Sequence, residues 1–225
     1  MKVVVEVHKV LPAEQILATP RHLWEEYFYS AENNVGIYFH IYDNSTIPFY
    51  IGESSEMLQR NYDHISEYNS GMRYWLPKNP ERLRNAECKQ IDGYSLDEFY
   101  KPISKYNAYA SVDCVGYRNS ANLLRSKMSV YFARAIYAGR YCSYDDKSRI
   151  HQVEFWLQHC LATQRDTTKR LKKNEIGWYQ QCPRKPDGVM YDVSIKYVGD
   201  ALDAHKMDDI ILTQMSEYGK SEWGH

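Results

Sequence analysis

Two tyrosines, an arginine and a histidine follow one another at short intervals, as Tyr38, Tyr50, Arg60 and His64. An arginine guanidinium carries a fork of donors that suits a phosphate group. A histidine can donate a hydrogen bond or carry a proton near neutral pH. An arginine and a histidine alone are more often part of a solvated surface, but all four side chains in one short segment are a much rarer arrangement. This segment is the candidate for chemistry on a phosphate.

Both tyrosines fall in a predicted β-hairpin. Residues 35–42 and 47–51 have the composition and alternation of strands, and the Asp-Asn-Ser sequence between them is typical of a turn. A turn centred on Asn44 places Tyr38 directly opposite Tyr50, with both side chains on one face. A change of one residue in the register would separate them, and an ordinary hairpin with two half-buried tyrosines is the alternative. The other face, turned to the core, should carry Val35, Ile37, Phe39, Ile41, Phe49 and Ile51.

A helix is predicted after the hairpin, from about residue 54 to 68. Apolar side chains at helical spacing form a stripe that should pack against the sheet, namely Leu58, Tyr62 and Ile65. Arg60 and His64, four residues apart, should lie together on the opposite side of this helix. The helix would then hold a cation and a proton carrier near the two tyrosines.

The rest of the chain adds strands and helices in mixed order. Alternating patterns predict strands at 3–10, 128–137 and 190–198. Helical spacing predicts a helix beginning at Thr19 and Pro20, another at 149–164 and a last one at 202–215. Residues 69–127 are rich in Gly, Pro, Asn and Tyr and show no long periodic segment. This mixture indicates an α+β domain.

Composition and charge narrow the class of protein. The 225 residues are 44% hydrophobic and 25% charged, as in an ordinary globular protein. The formal net charge of −1 means that any positive surface for a nucleic acid must be local. No apolar run approaches the ~20 residues of a membrane span, so no membrane partner is expected. Five scattered cysteines without a C-x-x-C pair argue against a zinc ribbon or a disulfide framework and favour a cytoplasmic location.

Two basic segments are candidates for contact with a nucleic acid. The stretch 165–185 collects cations that could grip the phosphate backbone, among them Lys169, Arg170, Lys172 and Lys173. A solvated charged helix explains the same run equally well. Arg73 belongs to a second group of cations and aromatic side chains, within residues 69–127, which would be the place for base reading.

The hairpin and the following helix together resemble the GIY-YIG nuclease superfamily. The matching residues are Gly36, Ile37, Tyr38, Tyr50, Ile51, Gly52, Arg60 and His64. The match covers residues 35–66. The resemblance implies a small three-stranded antiparallel sheet flanked by helices, and a metal-dependent endonuclease that acts on double-stranded DNA.

The resemblance also implies a metal-binding carboxylate on a helix after the third strand. Glu154 is the candidate, because the helix that carries it follows the third predicted strand of the sheet. The catalytic elements would then span 30–68 and 128–165 of a single nuclease domain covering the whole chain. Residues 69–127 would be an insertion, and residues 166–225 a C-terminal extension. If the insertion supplied the carboxylate instead, the metal ligand would be Glu81, Glu87 or Glu98.

For the reaction, the resemblance implies that Glu154 binds Mg²⁺, with Mn²⁺ as a substitute, beside the scissile phosphate. Arg60 would add positive charge there, and Tyr38 would orient or deprotonate the attacking water. A free phenol has a pKa of about 10, so Tyr38 would need the metal, Arg60 or a hydrogen bond to act as a base. Tyr50 and His64 would position the phosphate and tune Tyr38.

The expected biological role is that of a stand-alone, site-specific endonuclease of the restriction type, because one catalytic module leaves room for recognition elements. A phage or homing endonuclease is the nearest alternative. A non-catalytic nucleic-acid-binding protein on the same scaffold is an alternative from another class. A homodimer is one assembly open to such an enzyme.

Overall fold

The computed structural model of this chain describes residues 2–24, 34–42, 46, 48, 50–69, 75–77, 99–102, 125–168 and 192–207. Six strands form one mostly antiparallel sheet: β1 (Lys2–Pro12), β2 (Gly36–Tyr42), β3 (Tyr50–Ser54), β6 (Met128–Tyr137), β7 (Arg140–Tyr141) and β8 (Asp192–Tyr197). A separate small sheet pairs β4 (Trp75–Pro77) with β5 (Phe99–Pro102). The helices that pack on the large sheet are α1 (Ala13–Ala18), α2 (Met57–Asn69) and α3 (Lys147–Thr168).

The large sheet runs in the order β3-β2-β6-β1-β8, and β7 pairs with the end of β6. Within it β1 and β8 are parallel, whereas the other neighbouring strands are antiparallel. The fold is therefore a mixture of helices and a mostly antiparallel sheet, as predicted. The predicted size of three strands is wrong, because β1 and β8 continue the sheet beyond β6. The buried backbone groups of β1 need hydrogen-bond partners on both sides, and β6 and β8 supply them.

A β-bulge in β1 decides which of its side chains face each layer. The partner of Val7 is Ala133, and the partner of Lys9 is the residue just before Ala133 in β6. His8 is therefore an extra residue that breaks the alternation. Odd-numbered residues before the bulge face α3, and odd-numbered residues after it face the opposite layer.

Both faces of the sheet are covered. On one face, α3 packs its apolar side over the main core, which includes Val5, Phe39, Tyr131, Val153 and Trp156. On the other face lie α1 and α2, with Ile16 and Ile65 fully buried. Burial of apolar surface on both faces is the main source of stability for such a layered arrangement. The face beneath α2 carries the tyrosines and histidines of the hairpin.

Most of the predicted elements are confirmed, with shifted ends. The strand predicted at 128–137 is β6 with the same bounds, and the strands predicted at 3–10 and 190–198 are β1 and β8. The helices predicted at 54–68 and 149–164 are α2 and α3. The second hairpin strand begins and ends three residues later than predicted, at Tyr50 and Ser54. No helix in the described part of the chain is long and apolar enough to cross a membrane.

The helix predicted to begin at Thr19 and Pro20 starts one residue later, at Arg21, and the predicted capping role of Thr19 is wrong. Thr19 follows the last residue of α1, and its backbone N–H and its hydroxyl both bond to the carbonyl of Gln15, at 3.1 and 2.9 Å. The threonine thus caps the end of one helix instead of the beginning of the next. A 3-10 turn follows at Arg21–Leu23, and residues 25–33 lie outside the described residues.

The helix predicted at 202–215 is wrong over the six residues of it that the structure describes, 202–207, which form turns and irregular chain. Tertiary hydrogen bonds hold this segment instead. The Tyr131 hydroxyl donates to the carbonyl of His205 at 2.8 Å, and the backbone N–H of Met207 donates to the Tyr197 hydroxyl at 2.7 Å. Because these partners satisfy the backbone groups from outside, a local helix is not needed there. Residues 208–215 lie outside the described part of the chain.

Candidate active site at the sheet edge

The two tyrosines lie side by side on the hairpin formed by β2 and β3. Tyr38 pairs with Gly52 and not with Tyr50, so the predicted register is wrong by two residues. A shift of two residues keeps every side chain on its own face of the sheet. The rings of Tyr38 and Tyr50 are therefore still neighbours, with centroids 5.9 Å apart and planes inclined by 19°.

The glycines of the two tripeptides are explained by close packing. A Cβ atom added to Gly52 would overlap the hydroxyl end of the Tyr38 ring. A Cβ atom added to Gly36 would overlap the carbonyl oxygen of Ala133 on β6. Glycine within a strand often marks such a close approach. Gly52 thus makes the room that the Tyr38 ring occupies.

Gly52→Ala is expected to displace the Tyr38 ring and to lower the free energy of unfolding by about 1–3 kcal/mol, as overpacking typically does. Urea denaturation measures this loss. The matched control is the same change in a Tyr38→Ala background, where the space is already open and the added methyl group should cost much less. Equal costs in the two backgrounds would contradict the proposed packing.

His64 is a residue of α2, and its side chain points towards the sheet, where it contacts the tyrosines. It is 2% exposed, and its Nε2 atom lies 3.2 Å from the Tyr38 hydroxyl. Arg60, one turn earlier on α2, is exposed and acts electrostatically on both Tyr38 and Tyr50. The prediction that both side chains lie on the outer side of the helix is wrong for His64. Only apolar side chains were expected on the inner side of α2. The sheet face below α2 carries polar rings, which give a buried histidine hydrogen-bond partners there.

His40 completes the cluster of rings and was not predicted from the sequence. It is 1% exposed and stacks on Tyr50, with ring centroids 4.9 Å apart. Its Nε2 atom lies 2.6 Å from Oδ1 of Asn61, whose amide nitrogen donates to the carbonyl of Met57 at 2.7 Å. Because Oδ1 of Asn61 must then be the acceptor, His40 carries its hydrogen on Nε2. Alternation along the strand could have predicted His40 as a site residue, because it stands two residues after Tyr38 and shares its face of the sheet.

Burial keeps the Tyr38 hydroxyl protonated. Tyr38 is 1% exposed, and desolvation, together with the neighbouring Tyr50, raises its pKa well above the ordinary value. The hydroxyl shares a hydrogen bond with Nε2 of His64, and the tautomer of the imidazole sets the direction of this bond. Nε2 of His64 is therefore within hydrogen-bond distance to exchange a proton with Tyr38.

Glu154 lies on α3, on the other side of the sheet edge. By alternation, Glu53 of β3 points away from the tyrosines and towards α3, where it meets His151 and Glu154. The Nδ1 atom of His151 lies 3.1 Å from Oε2 of Glu154 and 3.6 Å from Oε1 of Glu53. In the described part of the chain β3 is the last strand of the sheet, so the tyrosines and Glu154 lie on opposite faces of the same edge. Arg60 acts electrostatically on Glu154 as well as on Tyr38.

The Glu154 carboxyl is buried beside another carboxyl. It is 8% exposed, and burial, together with the charge of Glu53, raises its pKa to about 8. Gln158 donates to Oε1 of Glu154 at 2.9 Å and to the carbonyl of Ile51 at 3.1 Å, which holds α3 against β3. Two carboxylates that repel each other out of water are stabilised by a cation. Glu53, His151 and Glu154 offer ligand atoms that all lie within 4.8 Å of one another.

The raised pKa of Glu154 predicts how stability depends on pH in the metal-free protein. The folded state keeps a proton up to about pH 8 that the unfolded chain releases near 4.5, so stability is lost as pH rises through this interval. His8, whose burial lowers its pKa from 6.5 to about 4, has the opposite effect below pH 6.5. From pH 6.5 to about pH 8, the free energy of unfolding should fall by at most about 1.4 kcal/mol per pH unit.

Urea denaturation in EDTA across this upper interval measures the slope. Glu154→Gln should flatten it, because an amide does not titrate. Asp200→Asn is the matched control. In the parent protein, the exposed Asp200 carboxyl accepts a hydrogen bond from Lys9, which lowers its pKa, so Asp200 titrates far below the interval from pH 6.5 to 8. The same slope in the parent and in Glu154→Gln would show that another group is responsible.

Glu53 and His151 were not predicted from the sequence as neighbours of Glu154. Glu53 directly follows the second tripeptide, and His151 stands three residues before Glu154. No spacing rule connects β3 with α3, so only the tertiary fold brings the three together. The predicted site residues and alternatives that lie outside the described residues are Arg73, Glu81, Glu87, Glu98, Lys169, Arg170, Lys172 and Lys173.

Comparison with known proteins does not assign this chain to a family. No protein-family model, no curated protein and no solved structure matches it. A function for the site must therefore be argued from its geometry and from the resemblance carried by its motifs.

Proposed function

We propose that this chain is a metal-dependent endonuclease that hydrolyses phosphodiester bonds in double-stranded DNA. One observation carries the proposal: Arg60 is exposed and lies within electrostatic range of both Tyr38 and Glu154. Phosphodiester hydrolysis needs a cation at the phosphate, a route for the proton of the attacking water and a metal-binding carboxylate. The resemblance of the same residues to the GIY-YIG nucleases supports the proposal.

Arg60 and Tyr50 are the members of the cluster that a substrate would meet first. Arg60 is exposed and Tyr50 partly so, whereas Tyr38 and His64 are buried behind them. The scissile phosphate is placed at the Arg60 guanidinium, whose fixed charge stabilises the charge that develops on the phosphoryl oxygens. Tyr50 then holds the phosphate or the attacking water beside the Tyr38 hydroxyl.

The proton released by the attacking water needs an acceptor. Tyr38 alone is a poor one, because desolvation raises its pKa. Hydrogen-bonded to His64, the Tyr38 hydroxyl can take a proton from the water while it passes its own to Nε2 of His64. Glu67 lies 3.9 Å from Nδ1 of His64 and would stabilise the imidazolium that forms. In this mechanism Tyr38 is a relay and His64 is the base.

Glu154 is the proposed metal ligand. When bound there, Mg²⁺ or Mn²⁺ supplies Lewis acidity at the phosphate and stabilises the leaving alkoxide. The residues fit such an ion, because Glu53 and Glu154 repel each other unless a proton or a cation joins them. Gln158 and the backbone N–H of Glu53 hold the Glu154 carboxylate in place by hydrogen bonds.

The finer proposal is a site-specific endonuclease of the restriction type that leaves 5′-phosphate and 3′-hydroxyl ends, as the resemblance implies. A phage or homing endonuclease would carry the same active site. An adjacent methyltransferase gene would favour the restriction role, because a restriction enzyme requires protection of the host DNA.

The test is incubation of the purified chain with supercoiled plasmid DNA in Mg²⁺, Mn²⁺ or EDTA. We expect nicked and linear products with either metal and none in EDTA. Arg60→Ala should slow cleavage by about 10²–10³-fold, the usual effect of removing one donor to a developing charge. Arg21→Ala is the matched control, because Arg21 packs over Trp24 and Tyr62 outside the cluster.

The products and the failures are both informative. Direct ligation of the cut ends, without prior phosphorylation, would establish 5′-phosphate and 3′-hydroxyl termini. Binding of DNA by the parent chain without cleavage in any metal would contradict the proposed activity. It would instead indicate a non-catalytic DNA-binding protein on the same scaffold.

A further inference from the structure

Three side chains form a cluster where β3 meets α3, and the proposed mechanism uses only Glu154 of them as a metal ligand. Glu53 comes from β3, and His151 and Glu154 come from the first half of α3. The exposed fraction of the side chain is 10% for Glu154, 16% for Glu53 and 47% for His151. The two carboxylates thus form the buried part of the cluster. The imidazole is its exposed part, where water or a substrate can approach the three side chains.

Two of the three pairs of ligand atoms are spaced as neighbouring ligands of one metal ion are. Ligands about 2.1 Å from an ion are about 3.0 Å apart at a right angle and about 3.4 Å apart at a tetrahedral angle. In the cluster, His151 Nδ1 lies 3.1 Å from Glu154 Oε2 and 3.6 Å from Glu53 Oε1. Because all three ligand atoms also lie within 4.8 Å of one another, rotation of the side chains would bring them onto one ion.

We propose that Glu53, His151 and Glu154 together bind one divalent transition-metal ion, with Mn²⁺ preferred to Mg²⁺. An imidazole nitrogen is a good ligand for transition metals, whereas Mg²⁺ prefers oxygen ligands and keeps several of its waters. Two carboxylates and one imidazole leave positions open on a six-coordinate ion for water and a phosphate oxygen. The use of this ion in cleavage rests on the proposed nuclease function, but its binding requires no nucleic acid.

An explanation of the cluster without a metal predicts the opposite effect of one substitution. A protonated His151 would bridge Glu53 and Glu154 as a hydrogen-bond donor. As a cation, it would then compete with a metal ion, and its removal would strengthen metal binding. As a ligand, its removal weakens metal binding. The direction of the change in Mn²⁺ affinity therefore separates the two explanations.

The experiment is an Mn²⁺ titration of the full chain, without nucleic acid and without a histidine tag, followed by the EPR signal of the free ion. We expect one bound Mn²⁺ that shows coupling to a histidine nitrogen in pulsed EPR. Mg²⁺ should displace it only at a concentration about tenfold higher or more. Glu53→Gln and His151→Gln should each weaken Mn²⁺ binding by about tenfold or more. Only His151→Gln should also remove the nitrogen coupling.

The controls are His22→Gln and Glu56→Gln, two exposed residues outside the cluster, which should leave the titration unchanged. No bound Mn²⁺, no nitrogen coupling in the parent chain, or tighter binding by His151→Gln would each overturn the proposal. The coupling in the parent chain decides the question even where a variant fails to fold.

The failure of this inference and that of the nuclease proposal are distinguishable. A chain that binds Mn²⁺ with nitrogen coupling but cuts no DNA keeps the metal site and contradicts the nuclease. A chain that cuts DNA with Mg²⁺ and shows no nitrogen coupling keeps the nuclease and contradicts the three-ligand site.

Discussion

Glu154→Gln is expected to reduce metal-dependent cleavage by about 10³-fold or more while the protein stays folded. A bound metal contributes several kcal/mol to stabilising the transition state, and about 1.4 kcal/mol corresponds to a factor of ten in rate. The glutamine has the same shape, and its oxygen can still accept the hydrogen bond that Gln158 donates to Oε1 of Glu154. It lacks the charge that a metal requires. In the metal-free protein the Glu154 carboxyl is already uncharged up to about pH 8, so an uncharged amide of the same shape should leave the melting temperature measured in EDTA nearly unchanged.

Single-turnover cleavage at saturating Mg²⁺, DNA affinity and melting temperature are the measurements. Glu56→Gln is the matched control, because Glu56 is exposed beside the start of α2 and belongs to neither cluster. It should cleave like the parent. Unaltered turnover in Glu154→Gln would contradict the assignment of Glu154 and move the search to the alternatives within residues 69–127, which are Glu81, Glu87 and Glu98.

Tyr38→Phe is expected to slow the cleavage step by about 10²–10⁴-fold, the usual contribution of a proton transfer. The change removes the hydroxyl that lies 3.2 Å from Nε2 of His64, and with it the route of the proton. It also removes a hydrogen bond from a buried histidine, which should lower the free energy of unfolding by about 1–3 kcal/mol. DNA affinity should change little, because Arg60 still meets the phosphate.

Tyr62→Phe is the matched control for this substitution. Tyr62 lies on the same helix as His64 and packs against Trp24, with ring centroids 5.5 Å apart. Single-turnover rates, measured with melting temperatures on both variants, separate the chemical step from folding. Cleavage at nearly the parent rate by a folded Tyr38→Phe protein would exclude this hydroxyl as a principal catalyst. Tyr50 and His64 would then remain as candidates.

The hairpin shows what alternation can and cannot predict. Period-two patterning assigns side chains to faces, and it correctly placed Tyr38 and Tyr50 on one face and Phe39 and Ile51 on the other. It does not determine the register, because a shift of two residues leaves every face unchanged. Tyr38 pairs with Gly52 because the Tyr38 ring packs where a glycine has no side chain. A pattern of polar and apolar residues carries no information on such a fit.

The helix α2 and the Glu154 cluster show a second limit. The inward face of α2 was predicted from its apolar residues, yet Asn61 and His64 are buried there as well, at 0% and 2% exposure. They face inward because the strands beneath present polar rings that need partners. The meeting of Glu53 with His151 likewise depends on how α3 crosses β3. Such contacts between distant segments are properties of the tertiary structure and leave no local spacing to detect.

The position of β1 determines the order in which the fold can be completed. β1 lies between β6 and β8, so its backbone groups find their partners only after residues 128–137 and 192–197 have been synthesised. Pairing between segments so distant in sequence is slow, because a long stretch of chain must be ordered first. Until then a valine-rich strand has two open edges, which favours pairing with other chains. The yield of folded protein should therefore depend on how well this strand is protected during translation.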